Sequence, residues 1–143
     1  QVTVDLSVDA RLSPSYPQDD AVRINYYGRL AEAEGLAEVN RIAREMREAY
    51  GPFPSEVRAF IELTRLRLLA GAKGVATIKE HMTDVQVAFA ADLEGLDYDA
   101  KRLKALPFQV EPTRYPPGFS VKRRGLKDVD VPGALMELLY LVG

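Results

Sequence analysis

Apolar residues along this chain change their spacing near the middle, and the change divides the expected architecture. In the first half they recur every three or four positions. Val22, Tyr26, Leu30 and Ala33 predict a helix over about residues 21–34. Asp19 and Asp20 precede it, short carboxylates suited to accept from exposed first-turn N–H groups, and Gly35 is expected to end it. Leu36, Val39, Ile42, Met46 and Ala49 then form one stripe, while Glu38, Arg41, Arg44, Glu45, Arg47 and Glu48 take the other faces of a second helix. The run Tyr50-Gly51-Pro52-Phe53-Pro54 predicts a stop and a tight turn. Gly51 is expected at positive φ, Tyr50 against the core, and Pro54 at the first position of a third helix with Glu56 in its first turn. That third helix is the most apolar. Val57, Phe60, Ile61, Thr64 and Leu68 make one face, Leu63, Leu66 and Leu69 widen it, and the helix should end near Gly71 or Gly74.

Elsewhere the period falls to two. Val2-Thr3-Val4-Asp5-Leu6 alternates at the start of the chain, and Val85, Val87 and Phe89 alternate around Gln86 and Ala88. Strands are expected over 75–79 and 85–90, joined as a hairpin through Met82-Thr83-Asp84. Asp97 is expected to cap a short helix through Leu106, with Ala100 and Leu103 turned inward. Residues 108–110 and 119–121 read as short strands around a Tyr115-Pro116-Pro117-Gly118 turn, and 132–141 as a final helix. The expected class is α+β: a helix-rich N-terminal half packed with a small, mostly antiparallel sheet from the C-terminal half and the N-terminal strand. A single domain over residues 1–143, cut from a longer protein, is expected.

Composition narrows the chemistry. No run of about eighteen apolar residues exists, so no membrane helix is expected. Nineteen Lys and Arg against 21 Asp and Glu leave a net charge of −2, which supplies no general field for nucleic acid or an acidic membrane. With no cysteine and one histidine, His81, thiolate chemistry and any two-histidine mechanism are excluded.

The remaining candidates are few. Gly71-Ala72-Lys73-Gly74 is too short to surround a phosphate and reads as a helix end, so neither ATP binding nor any other cofactor is expected. His81 lies beside Glu80 and close to Asp84, but at a hairpin tip this trio reads as a solvated turn and no metal is expected. Ser13, Ser15 and Ser55 lack a nucleophile's glycine-flanked setting. Lys122-Arg123-Arg124, with Lys127 nearby and Phe119 alongside, is the basic cluster that could grip a phosphate backbone, or be a solvated bend. Glu45 and Glu48 stand three apart on the second helix and share a face. They read either as a docking surface for a basic partner or as charges neutralised by Arg41, Arg44 and Arg47.

The ordered segments resemble the carboxy-terminal domain of the bacterial transcription-repair coupling factors, the Mfd family. The residues that carry this run in sequence: Val4-Asp5-Leu6; Pro17 with Asp19 and Asp20; Arg23-Ile24-Asn25-Tyr26-Tyr27-Gly28-Arg29-Leu30; Glu45-Met46-Arg47-Glu48-Ala49-Tyr50-Gly51-Pro52-Phe53-Pro54; Arg65-Leu66-Arg67; and Gly74-Val75. The likeness extends over about residues 1–91. It departs where Gly28 replaces a common lysine and Glu48-Ala49-Tyr50 a common Asp-Arg-Phe.

The resemblance implies a cytoplasmic, non-catalytic regulatory domain of a DNA translocase whose motor lies elsewhere. It implies packing on the UvrA-binding module of the same protein, masking that module until release. RNA polymerase, UvrA and DNA would be met only through the parent protein. The acidic pair Glu45 and Glu48 matches positions that the resemblance places against the UvrA-binding module. The alternative is an accessory domain that touches nucleic acid through Lys122, Arg123, Arg124 and Lys127.

Overall fold

The computed structural model describes residues 2–90 and 95–143 and has an α+β architecture with two compact units, Val8–Leu68 and Gln1–Ser7 joined with Leu69–Gly143. In the first, helices α1 (Asp20–Glu32) and α2 (Leu36–Tyr50) precede α3 (Ser55–Ala72), whose last residues belong to the second unit. The Asp19 carboxylate caps α1, accepting from the N–H groups of Ala21 and Val22 at 2.9 and 3.1 Å. The chain leaves α1 at Ala33 in extended backbone, and Gly35 begins α2 as its cap instead of ending α1. Glu38 reaches back to the Glu34 N–H at 3.4 Å, helping to hold this tight entry.

The expected stripe of α2 is buried at Val39, Ile42 and Met46, with Ala43 added. Ala49 is exposed, because the helix ends one residue later and the stripe turns away from the core. Val57 and Ile61 of α3 join the same cluster with Leu12, Tyr16, Tyr26 and Leu30. Tyr16, a loop residue, is buried where Tyr50 was expected. Its hydroxyl donates to the Gly51 carbonyl at 2.7 Å, and Tyr50 stands edge-on to Tyr16 and Tyr26 while remaining 42% exposed. Gly51 has φ 87° and ψ −167°, a region that side chains resist. Pro54 is the cap of α3, not its first residue: its carbonyl accepts from the N–H groups of Val57 and Arg58.

The second unit holds a mixed five-stranded sheet in the order β1-β2-β3-β5-β4. Its strands are β1 (Thr3–Asp5), β2 (Val75–Glu80), β3 (Asp84–Phe89), β4 (Val110–Thr113) and β5 (Gly118–Lys122). β1 runs parallel to β2, and the other pairings are antiparallel. Val85, Val87 and Phe89 are buried as their alternation predicts, and Phe119 meets Phe89 and Tyr98 edge-on. Gly118 lies opposite Ala88, where an added Cβ would fall 1.9 Å from the Val87 carbonyl oxygen, so the sheet closes only over glycine. The expected strand at 108–110 is displaced to β4. Lys122 N–H donates to the Gln109 carbonyl, so Gln109, Glu111 and Thr113 face β5 while Pro112 turns its missing donor to the free edge.

The short helix α4 (Ala100–Lys104) is capped by Asp99, which accepts from the Arg102 N–H at 3.0 Å, and not by Asp97. Leu103 is buried as expected, but Ala100 sits exposed in the first turn, because the later start rotates it outward. A 3-10 turn (Asp128–Asp130) leads into α5 (Val131–Leu139), with Pro132 near its start and Leu135, Leu138 and Leu139 buried.

Candidate interaction surface

In the helical unit, three-residue spacing puts Tyr26 and Arg29 on one face of α1, where they meet Glu45 of α2. Arg29 grips the Glu45 carboxylate with two nitrogens, one of them 3.0 Å from Oε1, and the Tyr26 hydroxyl donates to Oε2 at 2.9 Å. The guanidinium also lies 5.4 Å from the Tyr26 ring centroid. Arg29, with Tyr26, holds the Glu45 carboxyl down at about 2, well below the usual carboxylate range. Burial, reinforced by Glu45, pushes the Tyr26 phenol up to about 12. Glu45 therefore stays ionised across physiological pH, although half of its side chain is exposed.

Glu48 lies one turn further along α2 and is exposed. No hydrogen bond or ion pair reaches it among the described residues. Arg41 and Arg44, which the sequence offered as the neutralising cations, do not engage Glu45; Arg29 does. Beyond Arg29 opens a groove of about 440 Å³ lined by Arg29, Glu32, Glu34, Glu38, Arg41 and Ile42, in which carboxylates outnumber cations. Sequence reasoning missed Arg29 and Tyr26 as partners. The available signal was their common helix face, which matters only once α1 is laid beside α2.

The basic cluster lies in the sheet unit and is not a uniform patch. Arg123 pairs with Asp128 at 2.5 Å and with Glu80 at 3.6 Å, and only 20% of its side chain is exposed. Glu80 also accepts from the Ser7 N–H and hydroxyl, at 3.2 and 2.7 Å. Lys122 lies 3.6 Å from Glu111. Arg124 and Lys127 are exposed, without a partner among the described residues. The trio at the hairpin is likewise engaged locally: Asp84 accepts from the Ser120 hydroxyl at 2.6 Å and the His81 N–H donates to the Asp84 carbonyl. No group of three or more His, Cys, Asp or Glu among the described residues could hold a metal ion. No helix among them is long and apolar enough to cross a membrane.

Residues 6–99 match the TRCF domain family. The chain belongs to that family. The resemblance to transcription-repair coupling factors carried by the ordered segments is thereby borne out. This TRCF domain is 39% identical over 90 residues to a transcription-repair-coupling factor of Mycobacterium tuberculosis, an alignment covering 63% of the chain and 7% of that protein. It is 32% identical over 78 residues to one of Haemophilus influenzae, covering 54% of the chain and again 7% of the relative. The chain thus spans a small fraction of these relatives' length. The crystal structure of a C-terminal domain of transcription-repair coupling factor superposes with a TM-score of 0.76, covering 98% of this chain and 89% of that one at 16% identity, which shows a shared fold.

Proposed function

We propose that the chain is a non-catalytic regulatory domain of a transcription-repair coupling DNA translocase, and that residues 1–143 act as one module within that longer protein. Its task is to pack on the UvrA-binding module of the same protein and mask it. RNA polymerase, UvrA and DNA are engaged by other parts of the parent. The observation that carries this reading is the exposed, unpaired Glu48 beside the ionised Glu45 on α2. The neighbouring groove adds Glu32, Glu34 and Glu38, so the surface suits a partner segment bearing arginines.

Glu48 and Glu45 then play different parts. Glu48 offers its carboxylate without breaking an existing contact. Glu45 is already held by Arg29, so a partner arginine shares or displaces that grip. Two surfaces that compete for one patch make a switch, because differential affinity sets which is occupied.

The test is capture of UvrA by the intact parent protein. Glu48→Lys should raise capture, and the Glu45→Lys, Glu48→Lys pair should raise it further, with ATPase activity unchanged. If capture stays at the wild-type level while deletion of the whole domain raises it, the masking exists but runs through other residues. If deletion also leaves capture unchanged, the autoinhibitory reading fails.

A further inference from the structure

A carboxylate offers about four lone-pair sites, shared equally between its oxygens. On Glu45 three of them are taken. Oε1 accepts from Arg29 at 3.0 Å, and Oε2 accepts both from Arg29 and from the Tyr26 hydroxyl, the latter at 2.9 Å. An incoming guanidinium that grips with two nitrogens needs a free site on each oxygen, and Oε2 has none left. Glu48, without a partner among the described residues, keeps all of its sites. The two holders of Glu45 differ in how readily they let go. Tyr26 is 6% exposed, and its ring stands edge-on to Tyr50 at 6.2 Å. Arg29 has 40% of its side chain exposed and lines the acidic groove with Glu32, Glu34 and Glu38.

Two effects of Arg29 oppose each other. As a positioner it would aim the Glu45 carboxylate at a partner. As a cation on the same oxygens it excludes a partner's arginine and repels it at short range. The geometry decides for exclusion. Without Arg29 the Tyr26 hydroxyl still anchors Oε2, so the carboxylate keeps its place, while both oxygens regain a free site. Resting on the masking proposed above, we infer that Arg29 is an internal competitor of the masking partner: it occupies on Glu45 the acceptor sites that a partner arginine would take, and so weakens the masked state. The partner then grips Glu48 in full and Glu45 by a single bond, with a like charge facing it across the interface. Loss of Arg29 opens Glu45 to a second complete grip and leaves the groove more acidic.

The test is the affinity of the intact parent protein for UvrA, whose apparent Kd rises as the unmasked fraction falls. Arg29→Met should raise that Kd about two- to fivefold, the range of an exposed charge pair. Arg29→Lys keeps the charge and the stem but lacks the fork, which guards against loss of fold in the first variant; it should raise the Kd by a smaller factor. In a Glu45→Gln background the rise should vanish, because the contested carboxylate is gone. A merely structural Arg29 gives the opposite sign, since a loosened domain masks less. The inference is overturned if neither Arg29 variant raises the Kd, or if the rise is as large in the Glu45→Gln background. Deletion of the whole domain separates the two levels. If deletion lowers the Kd while both Arg29 variants leave it unmoved, masking stands and the competitor falls; if deletion changes nothing, both fall.

Discussion

Replacing Gly51 by valine probes the turn that joins α2 to α3, and replacing Gly28 by alanine supplies a control of opposite sign in the same unit. At Gly51 a new Cβ would meet nothing within 4 Å, so no collision contributes. The whole penalty is backbone: φ 87° with ψ −167° lies in a region occupied almost only by glycine, and holding a β-branched residue there costs about 1–3 kcal/mol. Relaxing to negative φ gives no cheaper route. It would disturb the Gly51 N–H bond to the Arg47 carbonyl at 2.9 Å and the Tyr16 hydroxyl bond to the Gly51 carbonyl at 2.7 Å. Each such bond contributes about 1 kcal/mol. Gly28 is different: it sits exposed inside α1, with open space around its Cα. There alanine should stabilise by about 0.5–1 kcal/mol, because glycine loses more backbone freedom in a helix. The assay is urea denaturation followed by circular dichroism, which should show a lower midpoint for Gly51→Val and a higher one for Gly28→Ala. An unchanged midpoint for Gly51→Val would refute the turn argument, as would an equal loss from both variants.

Two further outcomes are expected. Gly118→Ala should destabilise the sheet unit by about 1–3 kcal/mol, since a Cβ 1.9 Å from the Val87 carbonyl forces β3 and β5 apart; hydrogen exchange at their amides would register it, and unaltered protection would contradict the close approach. Glu45→Gln should lose about 1 kcal/mol at neutral pH, the shift being discounted because half the side chain faces solvent. The folded carboxyl titrates at about 2, below its ordinary 4.5, so the stabilisation is fully present above 4.5 and fades as pH falls towards 2. Denaturation curves of the two proteins should therefore converge in acid, and a constant difference down to that pH would argue against the Arg29 pairing.

Periodicity alone determined most of the elements. The three-and-four spacing of Val39, Ile42 and Met46 and the alternation of Val85, Val87 and Phe89 reflect geometry that any helix or strand must obey, so both were legible in the chain. The positive φ of Gly51 followed from its place between an acidic helix end and two prolines. Boundaries were less visible. Asp99 instead of Asp97 caps α4, Gly35 opens α2, and β4 starts at Val110, because caps and strand ends depend on which backbone groups find partners. Tyr50, expected against the core, stays 42% exposed while Tyr16 from the preceding loop is buried, because local pattern does not rank aromatics that lie far apart in the chain.

Charge was where tertiary structure decided most. Glu45 and Arg29 lie 16 positions apart, and Glu80 ends β2 while Arg123 directly follows β5, so neither pairing is written in helix or strand spacing. The sequence supplied the carboxylates and the cations. Only the crossing of α1 with α2, and the register of β2, β3 and β5, determined which carboxylates were already spoken for and which, like Glu48, were left facing water.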